Sequence, residues 1–449
     1  MQTVRIVRAR HVLTSGALGE VRDGAVAVDD GRILAVGSWA TVRDRFPDAE
    51  VHGDGTGILT PGFVNSHGHF SEGLVTGLGE TATLWEWFVE VVEPIEPHLT
   101  REMAYVGTLL KGAEMALSGV TTVNDMFCHA PGPGDPVTPG VVDALDELGL
   151  RGEVSFGAAD DANPRPVDTY LAEHQALADA AAASRRCRFR MSAATVPSVS
   201  APLWRETVRL AQEVGRLHIH FHEVREEVTA WRMEHRLSPI QYAAREGLLD
   251  AQVVAAHCVW LDDDDVATLA AHGVAVAHNP VSNMILASGV CPVPRLRREG
   301  IVVGLGTDGP ASNDSQDMVE TLKIAALLQK VHHLQARALT APQVLEMATI
   351  GGARALGLDG EIGSLEVGKS ADLVLFSEHC VTLANIHDPY QKLVYCASGR
   401  EVSDVWVGGE PVVAGGRLVT VDVERHLPRA RELATKLARD AGLPSALLS

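Results

Sequence analysis

The sequence predicts an α/β fold, a (β/α)8 TIM-type barrel with a small β-sandwich built from both chain ends, and three observations carry that prediction. Eight short apolar runs recur between residue 61 and about residue 350, at 61–66, 119–124, 151–157, 188–194, 216–221, 252–257, 273–278 and 301–307. Helical stretches such as PLWRETVRLAQEVG and DDDDVATLAAHG separate them, with Gly at the stops. The two chain ends instead read as strands: VRIVRARHVLT and GAVAVDDGRILAVG before residue 60, GSLEVGKSADLVLF and VSDVWVGGEPVVAGGRLVT after residue 350. Eight strand-helix units on this scale favour a closed barrel over a doubly wound open sheet.

The elements divide the chain into a first part of the sandwich (1–60), the barrel (61–355), a second part of the sandwich (356–420) and a C-terminal helix (421–449), the last from the amphipathic VERHLPRARELATKLARDAG. The Asp-Asp-Gly at 29–31 marks a turn between the first strands. The longest connection, residues 70 to 118, carries TLWEWFVEVVEPIEPHLT and is expected to form a lid over the barrel mouth.

Bulk properties narrow the setting. A chain of 449 residues, 46% hydrophobic and 21% charged, can bury a large core. Its net charge of -20 argues against nucleic acid and against an anionic membrane surface, which need clustered Lys and Arg. The N-terminus has no continuous apolar stretch of the secretory kind, and no 18-residue apolar run could span a bilayer. The six cysteines, Cys128, Cys187, Cys258, Cys291, Cys380 and Cys396, form no C-x-x-C pair, so reduced thiols and a cytoplasmic location are expected. The expected assembly is a homo-oligomer, a dimer or tetramer.

Barrel enzymes gather their chemistry at the C-terminal ends of the strands. The first run leads into PGFVNSHGHF, where His67 and His69 stand two apart and so project to one side of a strand. The fifth run ends HIHFHE, the sixth AAHC, the seventh AHNP and the eighth GTDG. Taken singly, His67 and His69 could be a polar strand end, His257 a satisfied strand-end histidine, and Asp308 a turn residue before Gly309. Taken together, His67, His69, His220 and Asp308 put three imidazoles and a carboxylate around one axis, a set suited to a divalent metal with an open water position. Neither H-E-x-x-H nor P-C-x-x-C after H-x-E occurs, which excludes a zincin-type peptidase and the nucleobase-deaminase zinc fold.

The pieces PGFVNSHGH, HIHFHE, AAHCVWL, HNPVSN, GTDGPASNDSQDM and GSLEVGKSADLVL, spread over nearly the whole chain, resemble the amidohydrolase superfamily in its branch of cytosine-deaminase-like and triazine-hydrolase-like enzymes. Through LWEWFVEVVEPIEPHLTREMAY and GTDGPASNDSQDMVETLKIAALLQK the chain is most similar there to 5'-methylthioadenosine/S-adenosylhomocysteine deaminases. The resemblance implies that His67, His69, His220 and Asp308 hold one Zn²⁺, with Fe²⁺ as the alternative. It implies that Glu223 is the general acid-base, that His257 hydrogen-bonds the attacking oxygen, and that Asp308 also takes a proton from the water. Binuclear members bridge two ions with a lysine on the fourth strand; this chain has no lysine between Lys111 and Lys323, which favours a single ion.

The same resemblance makes Trp87 and Glu96 the lid tryptophan and the ribose-binding glutamate, with Glu223 and His257 also touching substrate. It departs from the family at Phe156 and Thr195, which stand where an arginine and a histidine are usual, and Arg165 is a loosely aligned substitute. The expected activity is hydrolytic deamination of an amino-substituted N-heterocycle of the adenosine-nucleoside type. The alternatives are deamination of a free base or pterin, or triazine-type displacement of chloride or alkylamine. An idle barrel serving as a binding protein is disfavoured by the intact ligand set.

Overall fold

Each of the eight apolar runs is a strand in the computed structural model, which describes residues 4–132 and 134–448. Residues 1–3 and 449, the outermost parts of the first and last predicted segments, lie outside the described residues. The chain begins with β1 (Arg5–Leu13), β2 (Glu20–Asp29), β3 (Arg32–Ser38), β4 (Glu50–His52) and β5 (Ile58–Pro61). At the turn between β2 and β3, φ is +47° at Asp30 and +72° at Gly31, the left-handed pair that a tight hairpin requires.

The barrel follows: β6 (Phe63–Gly68), β7 (Val120–Phe127), β8 (Arg151–Phe156), β9 (Cys187–Phe189), β10 (Met191–Ser192), β11 (Arg216–Phe221), β12 (Gln252–His257), β13 (Ala275–His278) and β14 (Val303–Leu305). These strands pair in parallel in two arcs, β6 to β9 and β10 to β14. The run at 188–194 is split into β9 and β10 at Arg190, a fully buried side chain that pairs with Glu153 at 3.3 Å. The arcs are joined there by Arg190 N–H donating to Val154 O (3.0 Å) and by a bridge between Ala158 and Ala193. At the other seam Asp308 N–H donates to His67 O (3.0 Å) and Thr307 N–H to Asn65 Oδ1 (3.0 Å). Gly306 permits that approach, since a Cβ on it would lie 3.0 Å from the His67 Cβ. Every residue of β6 and β7 is buried, as expected of parallel strands covered on both faces.

After the barrel, β15 (Leu373–Phe376), β16 (Val402–Val407), β17 (Glu410–Ala414) and β18 (Arg417–Leu418) join the first strands in one nine-stranded sheet. Its order is β18-β17-β16-β15-β5-β1-β2-β3, with β4 on β1. The sheet curls until its hairpins meet: Ala371 N–H donates to Gly31 O and Gly409 N–H to Ala371 O, both at 2.9 Å. Val7, Val12, Val26, Ile33, Leu373 and Trp406 are packed inside.

Helix starts follow the capping rules that made them legible. Thr100 accepts from Met103 N–H at the head of helix Arg101–Leu117, and Asp262 with Asp265 forms a capping box at the head of Asp263–Ala271. The connection expected to form a lid, residues 70–118, carries short helical turns from Leu84 to His98 and then the long helix Arg101–Leu117. The C-terminal helix, Leu427–Asp440, buries Ala430, Leu433, Leu437 and Ala438. Among the described residues no helix is long and apolar enough to cross a membrane.

Candidate active site

Four strand ends of the barrel deliver their polar side chains to one place. The Nε2 atoms of His69 and His220 lie 3.1 Å apart, and His67 and His69 Nε2 lie 3.1 and 3.4 Å from Asp308 Oδ1. His67, His69 and Asp308 are buried. Two of these ends leave the strand in left-handed backbone, φ +71° at His257 and +67° at Asp308, a conformation unfavourable outside glycine that the surrounding wall holds in place.

The outer nitrogens of the three histidines fix what the inner ones can do. His69 Nδ1 donates to Met126 O (2.6 Å) and His220 Nδ1 to Ala194 O (2.7 Å). His67 Nδ1 faces His218 Nε2 (2.8 Å), which also accepts from the Asn124 amide (3.3 Å), so the proton of that pair sits on His67. Each ring thus carries its hydrogen on Nδ1 and turns a bare Nε2 lone pair inward. His67 Nε2 has no hydrogen-bond partner. Three lone pairs and a carboxylate facing one another at such distances suit a cation, and two overlapping triads, His67–His69–His220 and His67–His257–Asp308, are each grouped closely enough to hold a metal ion. Burial, then mutual repulsion, keeps the His69 imidazole down at about 4 and that of His220 well below the ordinary range, so both stay in the neutral, ligating form. Against the cost of burial, neighbouring His67 and His257 hold the Asp308 carboxyl well below the usual range.

Two further predicted groups face the same point. Asn283 donates its amide to His257 Nδ1 (2.9 Å), with Asn279 more distant at 3.4 Å. The proton of His257 is thereby on Nε2, aimed at Glu223 Oε2 (3.4 Å) and Asp308 Oδ2 (3.7 Å). Glu223 lies just beyond the end of β11 and accepts from Ser288 Oγ (3.2 Å). Burial and the adjacent Asp308 charge raise its carboxyl well above the usual range, which favours its protonated form.

The cavity above this cluster runs under the lid, past Trp85, Trp87 and Phe88, to Glu96, Gly157, Ala159, Asp161, Thr195 and Pro197. Trp87 is buried and donates its Nε1–H to Ala311 O (3.0 Å), which fixes the ring edge. Burial, with Asp161 and Glu93 nearby, pushes Glu96 up to about 8. Thr195 lines the cavity as expected, but Phe156 does not. Its ring is fully buried behind the wall, stacked on Tyr170 at 6.3 Å, because strand alternation turns it outward and leaves Gly157 and Ala159 facing in. Arg165 is exposed and is not among the residues lining the cavity. The lining includes six carboxylates, Glu72, Glu96, Asp161, Glu223, Glu227 and Asp308, and no Lys or Arg.

Sequence reasoning missed three contributors. His218 and Asn283 orient His67 and His257; both stand inside the quoted motifs HIHFHE and HNPVSN, but nothing in the spacing says that they act from behind. Glu227 is buried in the first turn of helix Arg225–His235 and lines the cavity with an unpartnered Oε1; no spacing rule marked it, since Glu223 precedes that helix.

A parallel barrel with three strand-end histidines and an aspartate around a cation site defines the class of metal-dependent barrel hydrolases. The chain belongs to the amidohydrolase family, whose model matches residues 58–412; residues 24–49 match a bacterial imidazolonepropionase-like composite domain. It is 40% identical to a 5-methylthioadenosine/S-adenosylhomocysteine deaminase of Desulforudis audaxviator, over 92% of this chain and 95% of that protein. It is 36% identical to a 5'-deoxyadenosine deaminase of Methanothermobacter thermautotrophicus, over 93% and 96%. Among solved structures it is similar to an adenosine deaminase from Xanthomonas campestris with bound zinc, at 31% identity and TM-score 0.90, covering 97% of this chain and 98% of that one. The enzyme class is therefore a hydrolytic deaminase acting on C–N bonds.

Proposed function

We propose that this protein is a zinc-dependent aminohydrolase that releases ammonia from the adenine ring of a nucleoside whose 5' substituent carries no carboxylate. 5'-Methylthioadenosine, 5'-deoxyadenosine and adenosine are its substrates ahead of S-adenosylhomocysteine. The observation that carries the proposal is the facing pair of the Glu223 carboxyl and the His257 Nε2, 3.4 Å apart and beside Asp308 at the three-histidine, one-aspartate cluster. The names of the relatives, deaminases of three adenosine-type nucleosides, supply the substrate class.

His67, His69, His220 and Asp308 would hold one Zn²⁺ per chain. When bound, the metal supplies a Lewis acid that makes a water acidic enough to attack at neutral pH. Asp308, whose Oδ2 lies beside His257, is placed to take a proton from the attacking water and to return it to the departing ammonia. Glu223 gives its proton to the ring nitrogen beside the attacked carbon, which draws charge out of the ring as the C–N bond breaks. His257 donates its Nε2–H to the attacking oxygen, with Asn283 keeping the proton on that nitrogen. Trp87 lies along the ring, and Glu96 receives the two ribose hydroxyls, whose donation brings its carboxyl back toward the ionised form.

The cavity wall sets the preference among nucleosides. A substrate carboxylate would meet Glu96 and Asp161 with no cation to pair with, and such a mismatch costs several kcal/mol of recognition. The test is kcat/KM for the four nucleosides, followed by loss of adenine absorbance. The expected result favours the three without a carboxylate by at least about tenfold. A clear preference for S-adenosylhomocysteine would overturn the tail assignment, and activity confined to a free base or triazine would overturn the nucleoside assignment.

The six cysteines, none of them disulfide-bonded, support a cytoplasmic location. Leu327, Val331 and Leu334, exposed along one face of helix Met318–His333 and just past its end, support assembly as a homo-oligomer.

A further inference from the structure

The strongest cationic feature of this acidic chain lies at the opposite end of the barrel from the histidine cluster. A cavity of about 480 Å³ opens where β8, β9 and β11 begin, against residues Leu358 to Ile362. Five arginines line it, Arg151, Arg185, Arg186, Arg188 and Arg216, three of them from the short stretch SRRCRFR and its approach to β9. In a protein of net charge -20, such a gathering calls for a physical reason.

Ion pairing accounts for only part of it. Arg151 is held by Asp372 (2.8 Å) and Arg188 by Glu361 (2.9 Å), while Glu153, the remaining acid of the lining, is engaged by Arg190 behind the wall. Arg185, Arg186 and Arg216 have no carboxylate partner among the described residues. Arg186 Nη1 reaches only the Val407 carbonyl, at 3.5 Å, and Arg216 Nη2 only the Phe189 carbonyl, at 2.9 Å. Arg216 Nε is buried with no partner at all. Burial, then the neighbouring Arg151, press the Arg186 guanidinium below its ordinary range, against the weaker pull of Asp372, Asp146 and Glu410. A guanidinium cannot relieve such crowding by losing its proton near neutral pH, so a bound anion would be favoured there.

We propose that this cavity is a binding site for a small phosphate-bearing anion with more than one negative charge, a diphosphate or the diphosphate portion of a nucleotide. Three unpaired guanidiniums offer more charge than one carboxylate can neutralise, and their planar N–H forks match phosphate oxygens. The concavity suits a small molecule, and acids at the rim such as Glu361 disfavour a nucleic-acid strand.

The test uses inorganic pyrophosphate as the probe, with melting temperature and titration calorimetry as readouts. A ligand that binds only the folded chain raises its melting temperature. Wild type is expected to show the rise, and so is Asp308→Ala, in which the histidine-cluster end is crippled and metal chelation cannot contribute. Arg185→Glu, at an exposed side chain with no partner to lose, and Arg186→Glu should each weaken binding at least tenfold, and together abolish the rise. No measurable binding to wild type, or binding that disappears in Asp308→Ala and persists in the arginine variants, would overturn the proposal.

Discussion

Strand β11 joins two opposite chemical environments within six residues. It begins at Arg216, in a cavity crowded with guanidiniums, and runs through His220 to the edge of a cavity lined by six carboxylates and no cation. Both ends crowd like charges, yet they relieve the crowding differently. Imidazoles and carboxylates can change protonation: His69 and His220 stay neutral, and Glu223, Glu227 and Glu96 are pushed toward their protonated forms. Arginines keep their charge. The end that can move protons is the one equipped for proton-transfer chemistry, and the other end can only recruit counter-charge.

The sharpest way to break the histidine end is to remove a ligand. His67→Ala or Asp308→Ala should lose the metal and with it all turnover above background, read by elemental analysis of protein purified without chelator. Wild type should hold about one Zn²⁺ per chain. Two tightly held ions in wild type would end the single-ion account.

A smaller effect separates proton handling from metal binding. Glu223→Gln should keep its zinc and its fold while losing on the order of 10²-fold or more in kcat, the usual worth of a positioned proton carrier. His257→Asn should lose about 10²–10³-fold, as for removal of one donor to a developing oxyanion. Near-normal turnover in Glu223→Gln would make that residue structural.

The smallest effect tests the claim that carboxylates are crowded here. Burial raises the Glu227 carboxyl from its ordinary value of 4.5 to about 7. Its folded-state value is the higher one, so the contribution to stability is full below pH 4.5 and is lost as pH rises through about 7. Glu227→Gln should therefore raise the melting temperature by several degrees at pH 8 and leave it nearly unchanged at pH 4.5, in paired thermal scans. An equal effect at both pH values would show that Glu227 is not a buried, destabilised carboxyl.

The sequence carried the barrel and its end sheet because apolar runs, caps and Gly stops are local signals. The meeting of His67, His69, His220, Glu223, His257 and Asp308 was legible for a different reason: a barrel brings strand ends together, so residues far apart in sequence could be assigned to one place. What lay beyond reach depended on side-chain direction. Phe156 stands where the resembled family usually has an arginine, yet a shift of one residue along a strand reverses the face, and Gly157 and Ala159 face the cavity instead. His218 and Asn283 act through other residues, and no spacing rule marks a group that only orients its neighbour. The arginine cavity was hidden for the same reason as the pairing within it. SRRCRFR leads into the run at 188–194, and only the fold shows which of its side chains find an acid.

The central claim is that the histidine end removes ammonia from an adenosine-type nucleoside with the help of a bound metal. Ammonia release from 5'-methylthioadenosine tests it most directly, measured for the purified protein, for the chelator-treated protein and after return of Zn²⁺. The account predicts one ammonia per nucleoside converted to its hydroxyl-bearing product, loss of activity on chelation, and recovery with about one zinc per chain. No ammonia from any of the four nucleosides by the zinc-loaded protein, or full activity after the metal has been removed, would contradict it.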